Sequence, residues 1–261
     1  MSIGEDAREF GGCSQTTTIS EFLTQTLFTL FLAGYPMPPP TSEPIDLSHR
    51  LDVSKITIYP GDPTFSCTPF CTVEKDGYSV HSISLGSHTG THLDAPSHWF
   101  QDGKTVDEIP LGMLIGKARV IDLTPKNKSD KITWDGDLQV HFPESQSPWS
   151  IVVLKTGWAK HWGTDEYLSY PYIEKRAAEE LVKRGVSVLG VDMLSPDAIE
   201  GPEGYGVHEV FLGAGKVLVE NLNLTELDDK DEEVVVNFIP LNLAGNDGSP
   251  IRAFAWRNND S

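Results

Sequence analysis

Ser87-His88-Thr89-Gly90-Thr91-His92-Leu93-Asp94-Ala95-Pro96-Ser97-His98 gathers three of the chain's eight histidines and one carboxylate into a single short run. In an extended backbone side chains alternate between faces, so His88, His92 and Asp94 project to one side, with His92 and Asp94 adjacent on it. A helix would also align His88 with His92, but Gly90, the β-branched Thr89 and Thr91, and Pro96 just beyond favour a strand. Pro96 removes a ladder donor, so the strand is expected to end there and His98 to turn back toward the same pocket. Imidazole and carboxylate at this spacing make a metal-site pattern, whereas a lone histidine reads as a surface residue.

Working outward, the pattern predicts short strands at Ile45 to Leu47, Ile56 to Tyr59 and Val80 to Leu85, with Gly86 placed to bulge the third and re-aim His88. Buried-looking strands follow at 118–123 and 151–155, separated by the polar, proline-bearing stretch 124–149, which reads as a surface excursion. A helix over 174–184, stopped by Gly185, and a strand over 186–191 give a strand, helix, strand unit and hence a parallel pair. Residues 195–206 read as a loop ending near His208. Strands are expected at 216–219, which would carry Glu220 at its end, and at 234–238 and 251–256. Strands outnumber helices, so the fold class is mixed α/β or α+β and strand-rich. Ahead of this domain, taken as 44–261, lies an extension over 1–43. In it Thr18-Ile19-Ser20-Glu21 forms a capping box, Ile19 to Phe31 has helical apolar spacing, and Tyr35 to Pro40 is a stiff linker. Aromatics Tyr59, Phe65 and Phe70 around the Gly61-Asp62-Pro63 turn read equally as pocket lining and as core.

The run HTGTHLDAPSHWF (88–100) closely resembles the signature of the cyclase-like metal-dependent hydrolases, a family that includes kynurenine formamidase and isatin hydrolase. The resemblance extends to Ile45-Asp46-Leu47-Ser48-His49, Tyr59-Pro60-Gly61-Asp62-Pro63, Leu154-Lys155-Thr156-Gly157-Trp158, Gly190-Val191-Asp192, the His208 to Glu220 spacing, and Ala244-Gly245-Asn246-Asp247-Gly248-Ser249-Pro250. It covers about residues 45–257 and implies a swivelling β/β/α cyclase-like fold and a homo-oligomer, dimer or tetramer. It also implies metal ligands at His88, His92, Asp94, His208 and Glu220. Without it, His208 and Glu220 would pass as a loop residue and a solvated strand end. Five protein ligands exceed what one catalytic Zn²⁺ holds, so the set implies two zinc ions bridged by Asp94, or one ion of higher coordination such as Mn²⁺. His98 is the candidate acid–base group, with a second-metal ligand as its other role. Asp192 and Asp197 are candidate partners of a ligand histidine, and His49, His81, His141 and His161 are read as structural. The implied reaction is hydrolysis of a small amide, an arylformamide such as N-formylkynurenine or a cyclic amide such as isatin. The rival reading is a metal-stabilised scaffold that keeps the fold without turnover.

Composition narrows the partners. A net charge of -18 over 261 residues repels phosphate backbones and anionic lipid, which excludes nucleic acid and membrane surfaces as natural partners. Three cysteines without a Cys-x-x-Cys pair fit reduced thiols and a cytoplasmic location. No Gly-x-Ser-x-Gly elbow supports a serine nucleophile.

Overall fold

The computed structural model describes residues 43–143, 148–199, 204–228 and 231–257; the helix expected over 19–31 lies outside them. Among the described residues the strands, in chain order, are β1 (Ile45–Asp46), β2 (Ser66–Cys71), β3 (Val80–Ser84), β4 (His92–Asp94), β5 (Ile115–Asp122), β6 (Lys131–Ile132), β7 (Ile151–Lys155), β8 (Tyr172–Ile173), β9 (Val188–Val191), β10 (Val217–Glu220), β11 (Glu233–Asn237), β12 (Gly248–Pro250) and β13 (Phe254–Arg257). Nine of them form one mixed sheet in the order β1-β13-β11-β5-β7-β9-β10-β4-β12. The chain is thus a strand-rich α/β protein, as its pattern predicts.

The centre of the sheet is parallel, β5 to β7 to β9 to β10, and its strands are continuously apolar because both faces are covered. Side chains divide between the faces with period two. Val152, Leu154, Leu189, Val191 and Leu218 pack into one core with the helices Lys175–Lys183 and Gly206–Gly213. Ile151, Val153, Val188, Val217 and Val219 pack into the other, with Leu47, Leu93 and Phe238. The helix Lys175–Lys183 buries Ala177, Ala178 and Leu181 and ends at Gly185, whose φ of 90° is the left-handed stop that glycine tolerates. It returns the chain from β7 to β9 and yields the expected parallel pair, with Ile151 opposite Val188. Gly190 is fixed by packing, since a Cβ there would lie 2.8 Å from a Leu222 methyl.

The structure corrects four expectations. Residues 56–59 form no strand. The excursion over 124–149 is in part core: Ile132, Trp134, Leu138 and Phe142 are buried against the sheet, and β6 pairs with β8. Burial of four large apolar side chains outweighs the polar residues between them, which stay at the surface. The strand expected over 251–256 is confined to β13, Phe254–Arg257, and Ile251 makes only an isolated bridge to Pro240. Finally, Phe70 is not in the core; it sits 78% exposed on the β2–β3 hairpin, whose strands pair only with each other. No helix among the described residues is long and apolar enough to cross a membrane.

Candidate metal centre

Strand β4 is buried along its whole length and presents His92 and Asp94 on one face, two residues apart. Its antiparallel pairing with β10 puts Glu220 directly opposite His92, which brings Glu220 Oε2 within 3.4 Å of His92 Nε2. His92 Nε2 is 3.1 Å from Asp94 Oδ1. Its Nδ1 donates to the Gly90 carbonyl at 2.8 Å, so the tautomer that leaves Nε2 as a free donor to an ion is the one this network selects. Asn221, held in a left-handed turn at φ 55°, donates to the same carbonyl, and the Tyr167 hydroxyl braces Asn221 in turn.

His88 does not continue the strand. Residues 87–90 are a turn, closed by Thr89 N–H on the Gly86 carbonyl and carried by Gly90 at φ 71°. The turn, in place of strand alternation, aims His88 at the same point. Its Nδ1 reaches Asp94 Oδ1 at 2.6 Å and its Nε2 reaches Asp247 Oδ2 at 2.9 Å. A Cβ on Gly248 would lie 2.7 Å from His88 Cε1, so only glycine fits behind this ring.

His208 arrives from the other half of the chain on the first turn of the helix Gly206–Gly213, where a loop residue is expected from sequence. Asp197 accepts from the Val207 and His208 amides and from His208 Nδ1 at 2.6 Å. That triple contact both caps the helix and turns His208 Nε2 inward, 3.5 Å from Glu220 Oε1 and 3.6 Å from Asp94 Oδ2. Asp192, the other candidate partner, serves elsewhere: its buried carboxylate accepts from Thr156 N–H and Oγ1 and from the Gly157 and Trp158 amides, shaping the turn after β7.

Three buried atoms at this point, His92 Nε2, Asp94 Oδ2 and Glu220 Oε1, have no hydrogen-bond partner. Buried polar atoms are normally satisfied, and each orphan is costly. Their convergence, with His208 Nε2 beside them, fits a divalent cation: the donor set is imidazole and carboxylate without thiolate, which suits Zn²⁺ or Mn²⁺ chemistry. Electrostatics agree. Burial works against a charged His88, yet Asp94 and Asp247 hold its pKa up at about 9. Against the same burial, Asp197, Asp94 and Glu220 raise His208 to about 10. Burial also opposes ionisation of Asp94, but His88 and His92 keep its carboxyl well below the usual range. The carboxylates thus hold positive charge at this point, and an ion binding there displaces protons.

His98 follows β4 on the 3-10 turn Pro96–His98. Its ring lies 4.0 Å from that of His88 and 5.7 Å from that of His208, centroid to centroid, and its Nδ1 is 3.3 Å from Asp247 Oδ2. Asp247 therefore touches both His88 and His98. No role for it is apparent from sequence, where Asn246-Asp247-Gly248 signals only a turn. All six histidine and carboxylate candidates line one cavity of about 200 Å³, together with Tyr59, Asp62, Trp99, Leu194, Ser195, Tyr205 and Asn221. Trp99 and Tyr205 pack at 5.1 Å, and the Tyr205 hydroxyl meets that of Tyr59 at 3.4 Å. The result is a polar cluster under an aromatic wall.

Comparison with known proteins places this geometry. A family model described as a putative cyclase matches residues 45–198. The kynurenine formamidase of Bacillus cytotoxicus is 33% identical over 214 residues, covering 81% of this chain and 96% of that protein. That of Geobacillus thermodenitrificans is 33% identical over 210 residues, covering 80% and 95%. Among solved structures, isatin hydrolase A from Labrenzia aggregata, bound to benzyl benzoate, superposes with a TM-score of 0.72 at 27% identity, covering 90% of this chain and 98% of that one.

Proposed function

The chain belongs to the cyclase-like family of metal-dependent hydrolases, and we propose that it hydrolyses a small aromatic amide, an arylformamide such as N-formylkynurenine or a cyclic amide such as isatin. The observation that carries the reading is the convergence of the orphaned His92 Nε2, Asp94 Oδ2 and Glu220 Oε1 at one end of a cavity walled by aromatic rings. In this reading His88, His92, Asp94, His208 and Glu220 hold one or two ions of Zn²⁺ or Mn²⁺. Such an ion, when bound, polarises a carbonyl and lowers the pKa of water toward ~7.

The chain's own residues do the rest. Gly90 and Asp197 fix the tautomers of His92 and His208 that present Nε2 to the site. Trp99, Tyr205 and Tyr59 hold the aryl part of the substrate by stacking and edge contacts and keep bulk water from the scissile bond. His98, with Nδ1 toward Asp247, has Nε2 available to hand a proton to the departing nitrogen. Protein purified without added metal is expected to carry about one or two equivalents of Zn or Mn and to open N-formylkynurenine, isatin or a related amide in a chelator-sensitive manner. Metal bound without turnover across such a panel would transfer the case to the scaffold reading, and absence of metal uptake would remove both.

We also propose that the chain works as a homo-oligomer. The β2–β3 hairpin exposes Phe70 at 78% and Ile83 at 62%, with Val73 and Tyr78 beside them, an apolar ribbon that one copy leaves uncovered. Light scattering should return a dimer or tetramer, and Phe70→Asp with Ile83→Asp should shift it toward monomer; a wild-type monomer at micromolar concentration would refute this.

A further inference from the structure

We infer that the site selects by charge, accepting neutral or cationic arylamides and rejecting anionic ones, with Asp62 as the specificity-determining residue; this rests on the amide-hydrolase reading above. The described residues that line the cavity include no lysine and no arginine. A substrate carboxylate at its rim finds no lysine or arginine with which to pair, and an anion left unpaired there is disfavoured. At the wall the charge is of the opposite kind. Asp62 closes the Tyr59-Pro60-Gly61-Asp62 turn, its amide donating to the Tyr59 carbonyl at 3.0 Å. The side chain is exposed and lines the cavity without a lysine or arginine partner.

Asp62, Asp94 and Glu220 line the cavity, while Asp197 and Asp247 stand directly behind His208, His88 and His98. The chain's net charge of -18 adds a long-range term of the same sign.

The test is a series matched in size and ring electronics: 4-formamidobenzamide, 4-formamidobenzamidine and 4-formamidobenzoate, with metal-loaded full-length protein. The neutral and cationic members should exceed the benzoate by about two- to fivefold in kcat/KM, the scale of one solvent-exposed like-charge contact. The ratio should narrow in high salt and in Asp62→Asn, and reverse in Asp62→Lys. A benzoate processed as well as the benzamide would overturn the inference, and a ratio unmoved in Asp62→Lys would overturn the assignment to Asp62. If no member is turned over, it is the arylamide reading that fails. Calorimetric binding of the same three compounds then decides the charge selection, with tightest binding by the benzoate refuting it.

Discussion

His92→Ala is expected to lose stoichiometric metal, and turnover with it. The imidazole is buried at the crossing of β4 and β10, and its Nε2 is one of the three orphaned atoms that face the ion site. Removing a partner that merely orients a ligand typically lowers affinity by about 10–100-fold. Deleting a ligand that shares its strand face with Asp94 should exceed that range. Folding also suffers, because the Gly90 carbonyl loses one of its two donors and a small cavity opens. Metal content must therefore be read on protein whose circular dichroism shows a folded state. Folded His92→Ala with wild-type metal content would remove His92 from the ligand set.

His98→Ala should behave differently, keeping its metal near the wild-type level and losing about 10²–10⁴ in turnover, the usual contribution of a general acid–base group. The geometry that separates the two residues is plain. His98 is part-exposed on a 3-10 turn, hydrogen-bonded outward to Asp247, whereas His92 is enclosed. Loss of one metal equivalent from His98→Ala would make it a ligand of a second ion, a role its grouping with Asp94 and His208 also allows by distance. Full metal with full turnover would leave it outside the mechanism.

How much of this was legible in the chain depends on the range over which each signal is set. The pairing of His92 with Asp94 follows from a two-residue spacing, and the structure realises it in a strand of only three residues. The same alternation misplaces His88 in a strand, because Gly90, at φ 71°, allows a turn that a count of positions does not show. For His208 the surrounding Gly-Tyr-Gly reads as loop, and the eight-residue helix exists because Asp197, distant by eleven positions, caps it. Asp247 lies 159 positions from His88 and 149 from His98. No local rule reports such a contact, and only a resemblance over the whole motif set points to that segment. The buried stretch around Trp134 was hidden for a related reason, since its apolar residues are spaced among charged ones and find the core only in three dimensions.

Strand β4 has one further consequence. It is three residues long and separated from the border of the main sheet only by the equally short β12. Such margins open most readily in a folded chain. An ion held at the proposed site by β4, Glu220 of β10 and the His208 helix would be a clasp on that margin, and releasing the ion and fraying the border would become one equilibrium. Amide exchange along β4 would accordingly slow on loading, and its rate would serve as a clock for how long each ion stays.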